Sequence, residues 1–206
     1  SHWMGEVPHH HFNVGTTSGN WWNGLRDEND IPLNMMRDGT PNGYSFITFN
    51  GTNYIIDWKV SGKPDDYRMN IHTQRGIKVD SSSSALVTVN FFNGSEQSEL
   101  SFRVLGETEW KKMEKVSTKD PFYSLIYERF ENFNSLKIKE MWQKDPELKN
   151  KPYPLIKRMY EANNSTHLWQ SNIGKSLPEG IHIIEVNAKD RYGRLFKDYH
   201  SIRIKR

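Results

Sequence analysis

The sequence predicts a mainly β fold, an antiparallel β-sandwich with one inserted helix around residues 121–134. Aromatic residues fill 13% of the 206 positions while AVILMFWYC residues together reach only 35%, so apolar area is concentrated in large rings that call for a layered core. Stretches of β-branched and aromatic residues recur between Asn-Gly and other turn signals. Only one stretch, after Asp120-Pro121, switches to helical spacing.

The clearest element is a hairpin. Tyr44 to Phe49 and Asn53 to Val60 flank Asn50-Gly51, and Asn-Gly is expected to supply the two φ > 0 residues of a type I′ turn. In the second strand Tyr54, Ile56, Trp58 and Val60 share one face, as in a half-buried strand. Further along, Ala85 to Phe92 and Glu99 to Leu105 read as strands about an Asn93-Gly94 loop, and Gly106 to Thr108 turns into Trp110 to Glu114. Asp120 is placed as a helix N-cap with Pro121 in the first turn. Phe122, Leu125 or Ile126, Arg129 or Phe130, and Phe133 then form an apolar stripe over three to four turns. Residues 143–160 carry Pro146, Pro152 and Pro154 among lysines and read as a surface excursion. Ile181 to Ala188 and Leu195 to Ile204 form a last hairpin about Asp190 to Gly193. The expected architecture is one domain over 1–206, with immunoglobulin- or fibronectin-like elements. Ser81 to Ser84 is the best linker between possible sub-regions 1–80 and 85–206.

Composition narrows function. Lys and Arg total 28 against 25 Asp and Glu, which does not indicate a nucleic-acid stripe. No window approaches the roughly 18 apolar residues of a membrane span. The absence of cysteine removes disulfides, thiolate nucleophiles and Cys-based zinc sites. There is no G-x-S-x-G elbow and no Gly-rich phosphate loop.

Two places carry candidate chemistry. His9 and His11 stand two apart, so on a strand they share one side. Without a recognisable third ligand they are read as structural or adventitious, with no metal assigned. The second place combines Trp21 and Trp22 with the run Asp38-Gly-Thr-Pro-Asn-Gly-Tyr44. Ring faces beside amides and carboxylates suit sugar recognition, and Trp21, Trp22, Asp38, Asn42 and Tyr44 are the candidate ligand-binding residues. Adjacent Trp side chains on a strand point to opposite faces, so at most one is naturally a core residue of the sheet. The Asp38 to Gly43 run is also what a shaped turn requires, and that reading is favoured.

A longer ordered pattern includes Gly15-Thr-Thr-Ser-Gly-Asn-Trp-Trp-Asn-Gly24, Met36-Arg-Asp-Gly-Thr-Pro-Asn-Gly-Tyr44 and Asp66-Tyr-Arg-Met-Asn70. It continues through Trp110-Lys-Lys-Met113, Ser165-Thr-His-Leu-Trp169, Leu177-Pro-Glu-Gly-Ile-His182 and Glu185-Val-Asn-Ala-Lys-Asp190. Across nearly the whole chain this resembles the C-terminal domain that follows the catalytic domain in bacterial calcineurin-like phosphoesterases. The resemblance implies a catalytic half built from D-x-H, G-D-x-x, G-N-H-[DE] and G-H-x-H strings around two divalent metals. Those strings are expected to be missing here. The chain is therefore read as a non-catalytic accessory domain with no catalytic residue, metal or cofactor of its own. Its implied partner is an N-terminal metallophosphoesterase domain in cis, and its implied location is secreted, periplasmic or cell-envelope. Such a module should expose an apolar patch near its N-terminal segment. The alternative is an independent carbohydrate- or ligand-binding module using Trp21, Trp22 and the Asp38 to Tyr44 turn.

Overall fold

The structure is a computed structural model that describes residues 2–4, 6, 9–19, 26, 30–31, 33–150 and 159–206. Trp21 and Trp22 lie outside the described residues. Strands β1 (His2–Met4) and β2 (His9–His11) form a short antiparallel ribbon. Strands β3 (Gly43–Asn50) and β4 (Asn53–Val60) form the expected hairpin. The body follows with β5 (Met69–Thr73), β6 (Ile77–Lys78), β7 (Leu86–Phe91), β8 (Glu99–Val104), β9 (Lys111–Lys112) and β10 (Glu114–Lys119). Helix α1 (Pro121–Lys144) and strands β11 (Asn164–Asn172), β12 (Gly180–Lys189) and β13 (Leu195–Lys205) complete it.

Two sheets face each other. One has the order β10-β11-β7-β5 and the other β6-β13-β12-β8-β9. Neighbours in these two sheets pair antiparallel except β6 with β13. Alternate residues point inward from both sheets, Val87, Val89, Phe91 and Trp169 from one and Leu100, Phe102, Ile184, Val186 and Ile204 from the other. Together they form one continuous core, as two-layer packing demands. The fold is mainly β with one inserted helix, as the sequence predicts.

Several boundaries differ from expectation. The hairpin register pairs Asn50 with Asn53, so the turn is Gly51-Thr52 rather than Asn50-Gly51. Among the central residues only Gly51 has positive φ, at 60°, which is the glycine-first requirement of a type II′ turn. The helix has 24 residues and does not stop near 134. Residues 135–144 contain neither Gly nor Pro and are mostly good helix formers. Pro146 disfavours helical backbone at Asp145, and the helix ends there. Residues 143–144 therefore belong to the helix, a short 3₁₀ turn spans Pro146–Asn150, and 151–158 fall outside the described residues. The buried stripe is Tyr123, Ile126, Phe130 and Asn134, whereas Phe133 is exposed.

The serine run is not a loose tether. Val79–Ser84 is a 3₁₀ helix in which Ser82 is fully buried, its hydroxyl donating to Val79 O and accepting from Leu177 N. Strands β5 and β6 before it pair with β7 and β13 after it. The β3–β4 hairpin hangs outside both sheets and is anchored by its base. Trp58 and Val60 pack on Phe92. Ile56 N donates to the Tyr192 hydroxyl at 3.0 Å, while Ile56 O accepts from Arg194 and Asn93.

Candidate functional site

The outer face of the four-stranded sheet carries a chain of buried polar groups. Asn90 on β7 is fully buried, as is Asp120 at the start of α1. Asp120 Oδ1 accepts from Tyr123 N at 2.7 Å, the N-cap bond the sequence predicts. Its Oδ2 accepts from Asn90 Nδ2 at 2.8 Å. That bond fixes the amide, so Asn90 Oδ1 is an acceptor and His167 Nδ1, 2.7 Å away, carries the proton. The other ring nitrogen, Nε2, lies 3.1 Å from Thr40 Oγ1 and 3.2 Å from Asp38 Oδ2. A neutral ring accepts from Thr40, and a doubly protonated ring donates to Asp38.

Local sequence explains why these groups meet. Asp38 Oδ1 accepts from Thr40 N, and Met36 N donates to Thr40 O, closing the turn anticipated from the Asp-Gly-Thr-Pro run. Gly39 holds φ at +84°, and a Cβ there would overlap the Asp120 carboxylate, so only glycine lets the turn lie on the helix start. His167 is aimed by a β-bulge: Val116 pairs with Leu168 but Thr118 pairs with Ser165, setting two residues of β11, Thr166 and His167, against one of β10. Burial works against the Asp38 charge. The hydrogen bond and charge of His167, with those from Thr40, outweigh it and hold the carboxyl down at about 2. At the far end of the chain His72 Nε2 is 3.8 Å from Asp120 Oδ2, and its ring stacks on Phe122. Burial holds the His72 pKa below its ordinary 6.5.

Asp38, Thr40 and His167 open onto a cleft of about 490 Å³. Its walls are the 12–16 loop after β2, the 36–40 turn, the 92–94 turn and the start of β11. The volume falls in the range of small-molecule sites. Asn42 and Tyr44 are not among its walls. Asn42 O accepts from Ser61 N, and Tyr44 meets Phe46 edge-on at 5.3 Å on the hairpin. The sequence singled out Asp38, and Asp120 as a helix cap alone, but missed His167 and Asn90, which link the two.

The hairpin is the second feature. Phe46 and Ile55 are exposed on one face, and Ile47 and Phe49 on the other beyond the base, with Phe49 70% and Phe46 57% accessible. Next to them the N-terminal ribbon makes contact, His10 stacking on Tyr54 at 5.6 Å between centroids. Val14, shortly after the ribbon, is also exposed. His9 and His11 are exposed and share one side of β2.

One D-x-H string does occur, contrary to expectation: Asp198-Tyr199-His200 on β13. Asp198 and His200 are half-buried, His200 Nε2 lies 3.3 Å from Thr73 Oγ1, and burial pushes Asp198 up and His200 down, both toward their neutral forms. Among the described residues no group of three or more His, Asp or Glu side chains is arranged to hold a metal ion. These residues therefore do not fit a two-metal centre, which needs several such ligands per cation. No described helix is long and apolar enough to cross a membrane.

Compared with known families, residues 11–196 match the family described as the C terminal of calcineurin-like phosphoesterase. No curated protein and no solved structure matches the chain.

Proposed function

Because the chain belongs to the C-terminal family of calcineurin-like phosphoesterases, we propose that it is a non-catalytic accessory domain packing in cis on a metallophosphoesterase domain N-terminal to it. The observation that carries this reading is the apolar hairpin beside the N-terminal ribbon. Phe46, Ile47, Phe49 and Ile55 extend beyond a base already fixed by Trp58 and Val60, and clustered exposed apolar residues of this kind mark interaction surfaces. The two divalent metals belong to the absent domain. An extracytoplasmic location, in the cell envelope or beyond it, is part of the same proposal, and a chain without cysteine is compatible with it.

Burying either phenylalanine contributes about 1.5–3 kcal/mol. Phe46→Asp with Phe49→Asp is therefore expected to weaken binding of this chain to its separately produced phosphoesterase domain by about a hundredfold or more. Because both side chains are exposed, the urea midpoint of the chain should stay at the wild-type value. Equal affinity of variant and wild type would remove the reading.

A second reading, an independent ligand-binding module, is favoured by one observation. The Asp38 turn opens onto the 490 Å³ cleft with its carboxylate held ionised.

A further inference from the structure

Resting on that second reading, we infer that the cleft at Asp38 takes a neutral polyhydroxylated ligand, a sugar ring whose vicinal hydroxyls donate to the Asp38 carboxylate.

Charge excludes the alternatives first. Among the described residues, Arg37, Asp38 and His167 are the titratable ones in the walls. The Arg37 guanidinium lines the cleft but is already engaged, donating from Nε to Glu161 O at 2.8 Å and lying over the Tyr160 ring. An anionic ligand such as a phosphate would meet a carboxylate with no cationic clamp behind it. A cationic ligand would meet Asp38 alone, with Arg37 beside it. A ligand without net charge matches walls whose formal charges nearly cancel.

Hydrogen-bonding geometry then selects hydroxyls. Thr40 N and His167 Nε2 approach Asp38 Oδ1 and Oδ2, and 36% of the side chain remains accessible. An ionised carboxylate has about four acceptor positions, so each oxygen keeps capacity for one O–H donor from the cleft. The turn is already closed by its own backbone bonds. A doubly protonated His167 orients the carboxylate through Nε2 and a neutral one orients the Thr40 hydroxyl beside it, while Asn90, itself bonded to Asp120, holds the ring in place from behind. Such preorganised acceptors cost little to order when ligand arrives.

The remaining walls suit a sugar's two other surfaces. Phe12, Met36 and Trp58 present apolar groups for C–H faces. Asn163, Asn164 and Thr166 are exposed along the rim with amides and a hydroxyl for further hydroxyl contacts.

The test titrates the chain with glucose, galactose, mannose and N-acetylglucosamine, and in parallel with a glucose phosphate and ethylamine, following the amide NMR signals of Thr40 and His167. Saturable shifts with at least one neutral sugar, weakened about tenfold to a hundredfold by Asp38→Asn, are expected. Preferential binding of the phosphate or the amine would overturn the ligand class while leaving a binding module standing. No saturable shift with any probe would overturn both. Unchanged sugar affinity in Asp38→Asn would overturn the role of the carboxylate. If that variant does not fold, Asn164→Ala and Thr166→Ala at the exposed rim carry the same decision, loss of affinity supporting the site and unchanged affinity sinking it. The titration uses this chain alone, so its outcome is separate from docking through the hairpin.

Discussion

Asp38 and His167 show how a turn residue acquires a defined charge. The carboxylate is partly withdrawn from water, which opposes ionisation, yet the bonds and charge offered by His167 and Thr40 prevail. Stability inherits this. Asp38 ionises at about 2 in the folded chain against an ordinary 3.8, so the unfolded chain takes up the proton first, and its contribution is complete above 3.8 and lost as pH falls toward 2. His72 acts earlier in the same direction. Its folded pKa lies below 6.5, so protonation below that value favours the unfolded chain. The urea midpoint is expected to decline below about pH 6.5 and to fall again below about 4. In Asp38→Asn the second decline should shrink while the first remains, and loss of the first in that variant would contradict the assignment. The sequence exposed only half of this site. Asp38 is legible because turn chemistry is local, whereas Asn90, Asp120 and His167 come from three elements that only tertiary pairing brings together.

At the scale of elements, local signals were read where one face is solvated and the other buried. Strand β4 is such a case, and so is β13, the alternation of both surviving in the burial pattern. Strand β11 is different. It lies between β10 and β7, His167, Leu168 and Trp169 are consecutively buried, and a bulge breaks its period, so no two-residue alternation announces it. The helix was legible at its start, where Asp120 and Pro121 act within one turn, and not at its end, because the apolar stripe gives way to exposed helix formers before any breaker. Trp169 ties these elements together, since its ring packs against Phe91 from the core side and a Cβ on Gly94 would overlap it. Trp169→Ala should cost about 3–5 kcal/mol in urea denaturation. A loss below about 1 kcal/mol would mean that β11 is not part of the cooperative core.

For the whole molecule, the two sheets form a scaffold that holds two outward features side by side. The cleft and the apolar hairpin share Trp58, which anchors the hairpin base and also lines the cleft. A domain seated on the hairpin would therefore lie next to the cleft mouth. Strand β3 pairs only with β4 among the described residues, so among those residues its outer backbone edge carries no strand and is expected to exchange readily in the isolated chain. The most direct measurement is amide hydrogen exchange over residues 43–60, in this chain alone and in the protein that carries its phosphoesterase domain. The account predicts exchange at β3 slowed about tenfold or more by the second domain and restored by Phe46→Asp with Phe49→Asp. Identical exchange in the two proteins would contradict it.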